Sequence, residues 1–177
     1  MRKISLLSLA ALSLAALARP VPVLAQSPDE ALWLKTHFEG GFDWQTRDPQ
    51  SGDLISGRGE CEMRFNDQYL HCTHLSPAGE PMGVGVSSYN TTAQRYEWVF
   101  YGGGGNAISF GAGQRDAENG LSWVEGRQIL ADGTETRFRT ETEKREGLGW
   151  RYTYYLADGE GWMPVYDATF VYDSERE

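Results

Sequence analysis

GRGECEMRFNDQYLHCTHL, residues 57–75, folds on paper into one hairpin. With Asn66-Asp67 as the tight turn, Cys61 faces Cys72, Met63 faces Leu70 and Glu62 faces His71. One face is then apolar and the other charged, which is the alternation of an antiparallel strand pair with one side against a core.

The pattern repeats along the chain. From Phe38 onward, runs of six to ten residues rich in aromatics, Val and Thr are separated by turn signals such as Pro77-Ala78-Gly79, Asn90-Thr91-Thr92, Glu118-Asn119-Gly120, Asp132-Gly133 and Asp158-Gly159. About ten strands follow, with no crossover helix long enough for a parallel unit. The expected fold is all-β, an up-and-down antiparallel β-barrel over residues 37–175, because closure removes the exposed edges of such a sheet. A β-sandwich satisfies the same alternation.

The alternation also nominates an interior. Tyr96, Trp98 and Phe100 share a face, as do Ile108 and Phe110, Leu121 and Trp123, and Trp150, Tyr152, Tyr154 and Leu156. In TETRFRTETEK, residues 134–144, the outward row is charged, while the inward row reads Thr134, Thr136, Phe138, Thr140, Thr142. Hydroxyls without partners in a dry core cost about 1–3 kcal/mol each. A partly polar cavity lined by Tyr96, Trp98, Phe100, Trp123, Phe138 and Tyr152 is therefore expected to bind a small apolar or amphipathic molecule. A core filled by hydroxyl-to-backbone bonding, giving an envelope scaffold, is the competing reading, and an enzyme using the same barrel is a third.

Ahead of the barrel, MRKISLLSLAALSLAALARPVPVLA, residues 1–25, has basic Arg2 and Lys3, an apolar run from Ile4 to Ala18 and a Val23-Leu24-Ala25 cleavage site. This is the pattern of a secretory signal peptide, and the run is too short to span a bilayer. Removing 25 residues from 177 leaves 152, one domain's worth, expected in the periplasm or secreted medium with no membrane insertion. The segment carries three cations and no acid, so its loss takes the net charge from −9 to −12. That balance repels phosphate backbones and argues against nucleic acid. The sequence sets no oligomeric state.

Ser27-Pro28-Asp29-Glu30 reads as a capping box for a short helix over residues 26–36, with Leu32, Trp33 and Leu34 as its apolar residues. Cys61 and Cys72 are the two cysteines, and export places them where thiols oxidise, so one disulfide is expected. A metal site joining them to His71 and His74 fails because alternate strand residues point to opposite faces. No metal or other cofactor is assigned.

SSYNTTAQRYEWVF, residues 87–100, resembles the segment of the domain-of-unknown-function 1579 family in which a Tyr-Asp pair precedes a Tyr and a Trp on the next strand. The corresponding residues are Tyr89-Asn90, Tyr96 and Trp98, with Asn90 where Asp is usual. The Glu62 strand with its turn at Asn66-Asp67, and GAGQRDAENGLSWVEG at residues 111–126, resemble the family in the same order, so the likeness runs from Trp33 to Tyr172. The resemblance implies a calycin-type, lipocalin-like barrel and no established activity. The cysteine pair is not a family hallmark.

No nucleophile elbow, phosphate loop or metal-protease motif is present, so no catalytic residue is assigned. His74 shares the inward row with Cys72 and Leu70 and could hold a haem or metal, as related haem-binding barrels do with a buried histidine. The simpler reading is a strand-end histidine bonded to backbone. Asp167 is either solvated opposite a core-facing Tyr166 and Phe170, or buried and paired with Arg115 or Arg127.

Overall fold

The computed structural model describes residues 28–48, 50–105, 107–146 and 149–173. The expected signal peptide, its cleavage point and the Ser27 cap lie outside those residues. Helix α1 (Pro28–Phe38) leads into ten strands: β1 (Gly40–Arg47), β2 (Leu54–Arg64), β3 (Tyr69–Leu75), β4 (Pro81–Asn90), β5 (Arg95–Gly102), β6 (Ala107–Asp116), β7 (Leu121–Leu130), β8 (Glu135–Arg145), β9 (Gly149–Asp158) and β10 (Gly161–Tyr172). Each strand pairs antiparallel with its sequence neighbours, and β10 returns to β1, closing an up-and-down barrel. The sandwich is thereby excluded. Ten strands give a bore wider than that of the eight-stranded barrel whose side chains just fill it.

The founding hairpin has the register read from its sequence. Cys61 pairs with Cys72, Met63 with Leu70 and Glu62 with His71. The cysteines are disulfide-bonded, with their Cα atoms 4.0 Å apart. The turn is wider than a two-residue one, because the last pair is Arg64 with Tyr69. Phe65, Asn66 and Asp67 run consecutively at φ 54°, 58° and 59°, a left-handed path that Asn and Asp tolerate and Phe does not favour.

Two inward rows differ from the sequence expectation. Ile108 and Phe110 are on the outer wall, each 43 % exposed, while Ser109 between them is buried. The cause is β5: Trp98 pairs with Gly111 and Phe100 with Ser109, so the large rings of one strand leave room only for small residues on the next. β7 follows the same phase. Val124 pairs with the buried Thr140 and Ser122 with Thr142, which places Leu121 and Trp123 in the opposite, outward phase, with Glu143 and Glu141 across from them.

The outer wall of β7 to β9 is charged, as read, with Arg139 bridging Glu125 at 3.1 Å and Glu141 at 2.7 Å. Asp167 belongs to this wall. Its partners are Arg151 at 3.0 Å and Thr153 at 2.5 Å, and not Arg115 or Arg127, which pair with Glu30 and Glu135.

Helix α1 runs two residues beyond the expected Thr36. Leu34 is buried, Trp33 and Phe38 pack against the core, and Leu32 is 60 % exposed. The inward stripe is Glu30, Trp33, Leu34, His37 and Phe38, the i, i+3, i+4, i+7, i+8 spacing of an amphipathic helix. Two of its five members are polar, so apolar spacing alone does not show the stripe. The buried cluster of Leu34, Phe42, Cys61, Leu70, Tyr96, Trp150 and Tyr172 therefore fills the end of the barrel that α1 covers.

Candidate functional site

Beyond that cluster the bore is hollow. A cavity of about 560 Å³ extends from the α1 residues Trp33, Leu34 and Phe38 to Thr46, Ile55 and Met82. Those last three stand at the far ends of β1, β2 and β4, away from the helix, so the cavity is plugged at one end by α1 and approaches solvent at the other.

Side chains at its wall are mostly aromatic. Trp98 stacks on Phe100, centroids 6.0 Å apart and planes 11° apart. Across the bore Tyr154 stacks between Phe138 (5.7 Å, 10°) and Tyr166 (5.3 Å, 12°). Polar groups are interspersed: Ser87, Gln128, Thr140 and Thr142 reach the wall, and the Tyr154 hydroxyl donates to Gln128 Oε1 at 3.0 Å. Burial pushes the Tyr154 hydroxyl well above the ordinary tyrosine range, and burial followed by the neighbouring Tyr166 and Tyr154 does the same to Tyr152. At neutral pH these phenols are protonated and can donate or accept hydrogen bonds.

Of the six residues expected at the wall, Tyr96, Trp98, Phe100 and Tyr152 line the cavity from the inward rows. Trp123 borders it from the outward phase of β7. Phe138, on the inward row of β8, is wholly buried, edge-on to Trp98 at 5.6 Å, and does not border the cavity. In the threonine row, Thr140 and Thr142 line the cavity, whereas Thr134 lies exposed before β8 and Thr136 stands outside the cavity wall. Trp44 and Phe170, paired across β1 and β10, also line the cavity; alternation places Phe170 toward the core and does not single out Trp44.

His74 is at the wall, ringed by Phe42 (5.2 Å), Phe100 (5.5 Å) and Phe170 (6.3 Å). Its neighbours in register are Gly59 and Gly83, whose missing side chains leave space for the rings: a Cβ on Gly59 would collide with Phe42, and one on Gly83 with Phe100. Burial alone depresses its pKa to about 4, so the imidazole is neutral at pH 7. It makes no hydrogen bond to backbone or side chain among the described residues, which corrects the backbone-bonded reading.

At the plugged end α1 is fastened by polar groups. Arg115 donates to Glu30 through Nε at 2.8 Å and Nη2 at 3.2 Å, the Tyr96 hydroxyl donates to the same carboxylate, and the Arg115 guanidinium lies 5.1 Å from the centroid of the Trp33 ring. Burial raises the Glu30 pKa, but hydrogen bonds from Arg115 and Tyr96 together with the Arg115 charge hold it below the ordinary carboxylate range. Lys35 reaches Asp67 in the β2–β3 turn at 3.1 Å, and Glu39 accepts the Met63 backbone N–H at 3.0 Å.

A plugged, ten-stranded antiparallel barrel with an aromatic cavity is the class that this geometry defines. Among solved structures it is similar to Rv2717c from M. tuberculosis, with a TM-score of 0.51 and 13% identity over 84% of this chain and 99% of that one. At that identity the likeness extends to the barrel fold. No family model matches the chain, and no curated protein does. The resemblance to the domain-of-unknown-function 1579 family therefore rests on the segments quoted above.

Proposed function

We propose that the chain is an exported binding protein whose barrel takes up a small apolar or amphipathic molecule. The observation that carries this reading is the cavity of about 560 Å³, bounded by stacked aromatic rings with hydroxyl and amide groups between them. That volume and mixture are what a ligand pocket requires, whereas a scaffold barrel of this size gains stability by filling its bore. Export is supported by the basic and apolar leader pattern and by the Cys61–Cys72 bond, which persists in oxidising compartments. No helix among the described residues is long and apolar enough to cross a membrane.

Native mass spectrometry of protein purified from its own host tests the proposal. A mass excess that is released on unfolding and is absent after replacement of Trp98 supports it. A bare polypeptide mass, with Trp fluorescence unmoved by a panel of fatty acids, haem and aromatic metabolites, returns the barrel to a scaffold role.

A further inference from the structure

We propose that the ligand is an uncharged, planar aromatic alcohol whose hydroxyl bonds the imidazole of His74. This rests on the binding reading above and adds the ligand's chemistry to it.

Three features of the wall converge on that class. Planarity follows from the aromatic lining: Trp98, Phe100, Tyr152, Tyr154, Tyr166 and Phe170 border the bore, and a ring packs against such a wall in the offset or edge-to-face arrangements that aromatic pairs prefer. Neutrality follows from the charge inventory. Among the described residues Glu97 is the one ionised group at the wall, and its carboxylate is engaged by Asn90 at 3.0 Å and Arg95 at 3.2 Å. A ligand carboxylate or ammonium would enter without a counter-charge, at a cost that apolar stacking does not offset.

The hydroxyl follows from His74. A neutral imidazole carries one N–H donor and one lone-pair acceptor, and among the described residues neither has a hydrogen-bond partner. Phe42, Phe100 and Phe170 stand edge-on to it at 66° to 85° and offer no strong acceptor or donor. An alcohol both donates and accepts, so it matches either tautomer of the ring. Nothing else at that point of the wall competes, since the neighbouring strand positions are Gly59 and Gly83.

The test compares naphthalene, 2-naphthol and 2-naphthoate by calorimetric titration at pH 7. Binding of 2-naphthol about tenfold tighter than naphthalene is expected, the size of one neutral hydrogen bond formed in a buried site, with 2-naphthoate the weakest of the three. In His74→Phe the preference for 2-naphthol over naphthalene should vanish while naphthalene still binds. A long-range proton–nitrogen NMR spectrum of the unaltered protein gives a second readout that does not depend on the variant folding: the His74 ring nitrogens should shift on saturation with 2-naphthol and not with naphthalene. Equal affinity for the two neutral compounds, tightest binding of the carboxylate, or unmoved His74 nitrogens overturns the proposal and leaves a cavity of other specificity. Failure of all three compounds to bind overturns it as well, while the binding reading stands or falls on the native mass measurement above.

Discussion

Arg115 at the end of β6 holds Glu30 in the first turn of α1 through two hydrogen bonds, 2.8 and 3.2 Å, across a separation of 85 residues. The pair anchors the plug to the barrel wall. Both side chains keep about a fifth of their surface in solvent, 22% and 21%. Replacing Arg115 with Ala should therefore cost about 1–2 kcal/mol, below the 3–5 kcal/mol of a fully buried pair. Glu30 has a lowered folded pKa, so its contribution is present above the unfolded value near 4.5 and is lost as pH falls through the folded one. Urea midpoints at pH 7 and pH 3 should differ less in Glu30→Gln than in the parent, and equal differences would show that the pair does not anchor α1.

The Cys61–Cys72 bond closes a sequence separation of only 11 residues. Its stabilisation should be somewhat under the ~3 kcal/mol of a fifteen-residue loop. Thiol titration of denatured, unreduced protein should find no free thiol, and reduction should lower the urea midpoint without changing the register of the rest of the barrel.

The barrel was legible because its strands announce themselves twice, once by turn residues and once by alternation, and the Cys61, Met63 and Glu62 pairings all hold. The interior was legible only where one strand's inward row is large. On β6 and β7 the inward rows are Ser109, Gly111, Gly113 and Ser122, Val124, Gly126, which look like surface when read alone. They are small because Trp98, Phe100 and Phe138 on neighbouring strands occupy the space, a relation between strands that no single strand's pattern contains. The helix plug was hidden for a similar reason. Glu30 reads as a capping residue until Arg115 and Tyr96, distant in sequence, are brought to it.

Phe138 and Trp98 touch each other yet should respond differently to truncation. Phe138 is fully buried, so Phe138→Ala should cost about 3–5 kcal/mol. Trp98 already borders the void, so Trp98→Ala removes fewer contacts and should cost less than Phe138→Ala while altering ligand binding more. Chemical denaturation of the two variants checks the order, and the reverse order would mean that the bore is filled around Trp98.

His74 supplies a second acid-sensitive window, separable from that of Glu30. Its pKa falls from 6.5 to about 4 on folding because burial among Phe42, Phe100 and Phe170 disfavours the imidazolium, and burial is the one cause of that shift. Between those values the unfolded chain binds a proton that the folded chain refuses. Stability is then full above about pH 6.5 and declines as pH falls toward 4, the same direction as the Glu30 effect but beginning two units higher. The loss across the window should be on the order of 2 kcal/mol, less than the whole shift implies because the His74 side chain is not fully buried. His74→Phe should flatten the stability profile between pH 6.5 and 4 and leave the steeper fall below pH 4 intact, while Glu30→Gln should do the converse. Nitrogen NMR of the His74 ring offers a direct check: a folded-state titration midpoint near 6.5 would mean that the imidazole is hydrated, and both the flattened profile and the neutral anchor for an aromatic hydroxyl would fall with it.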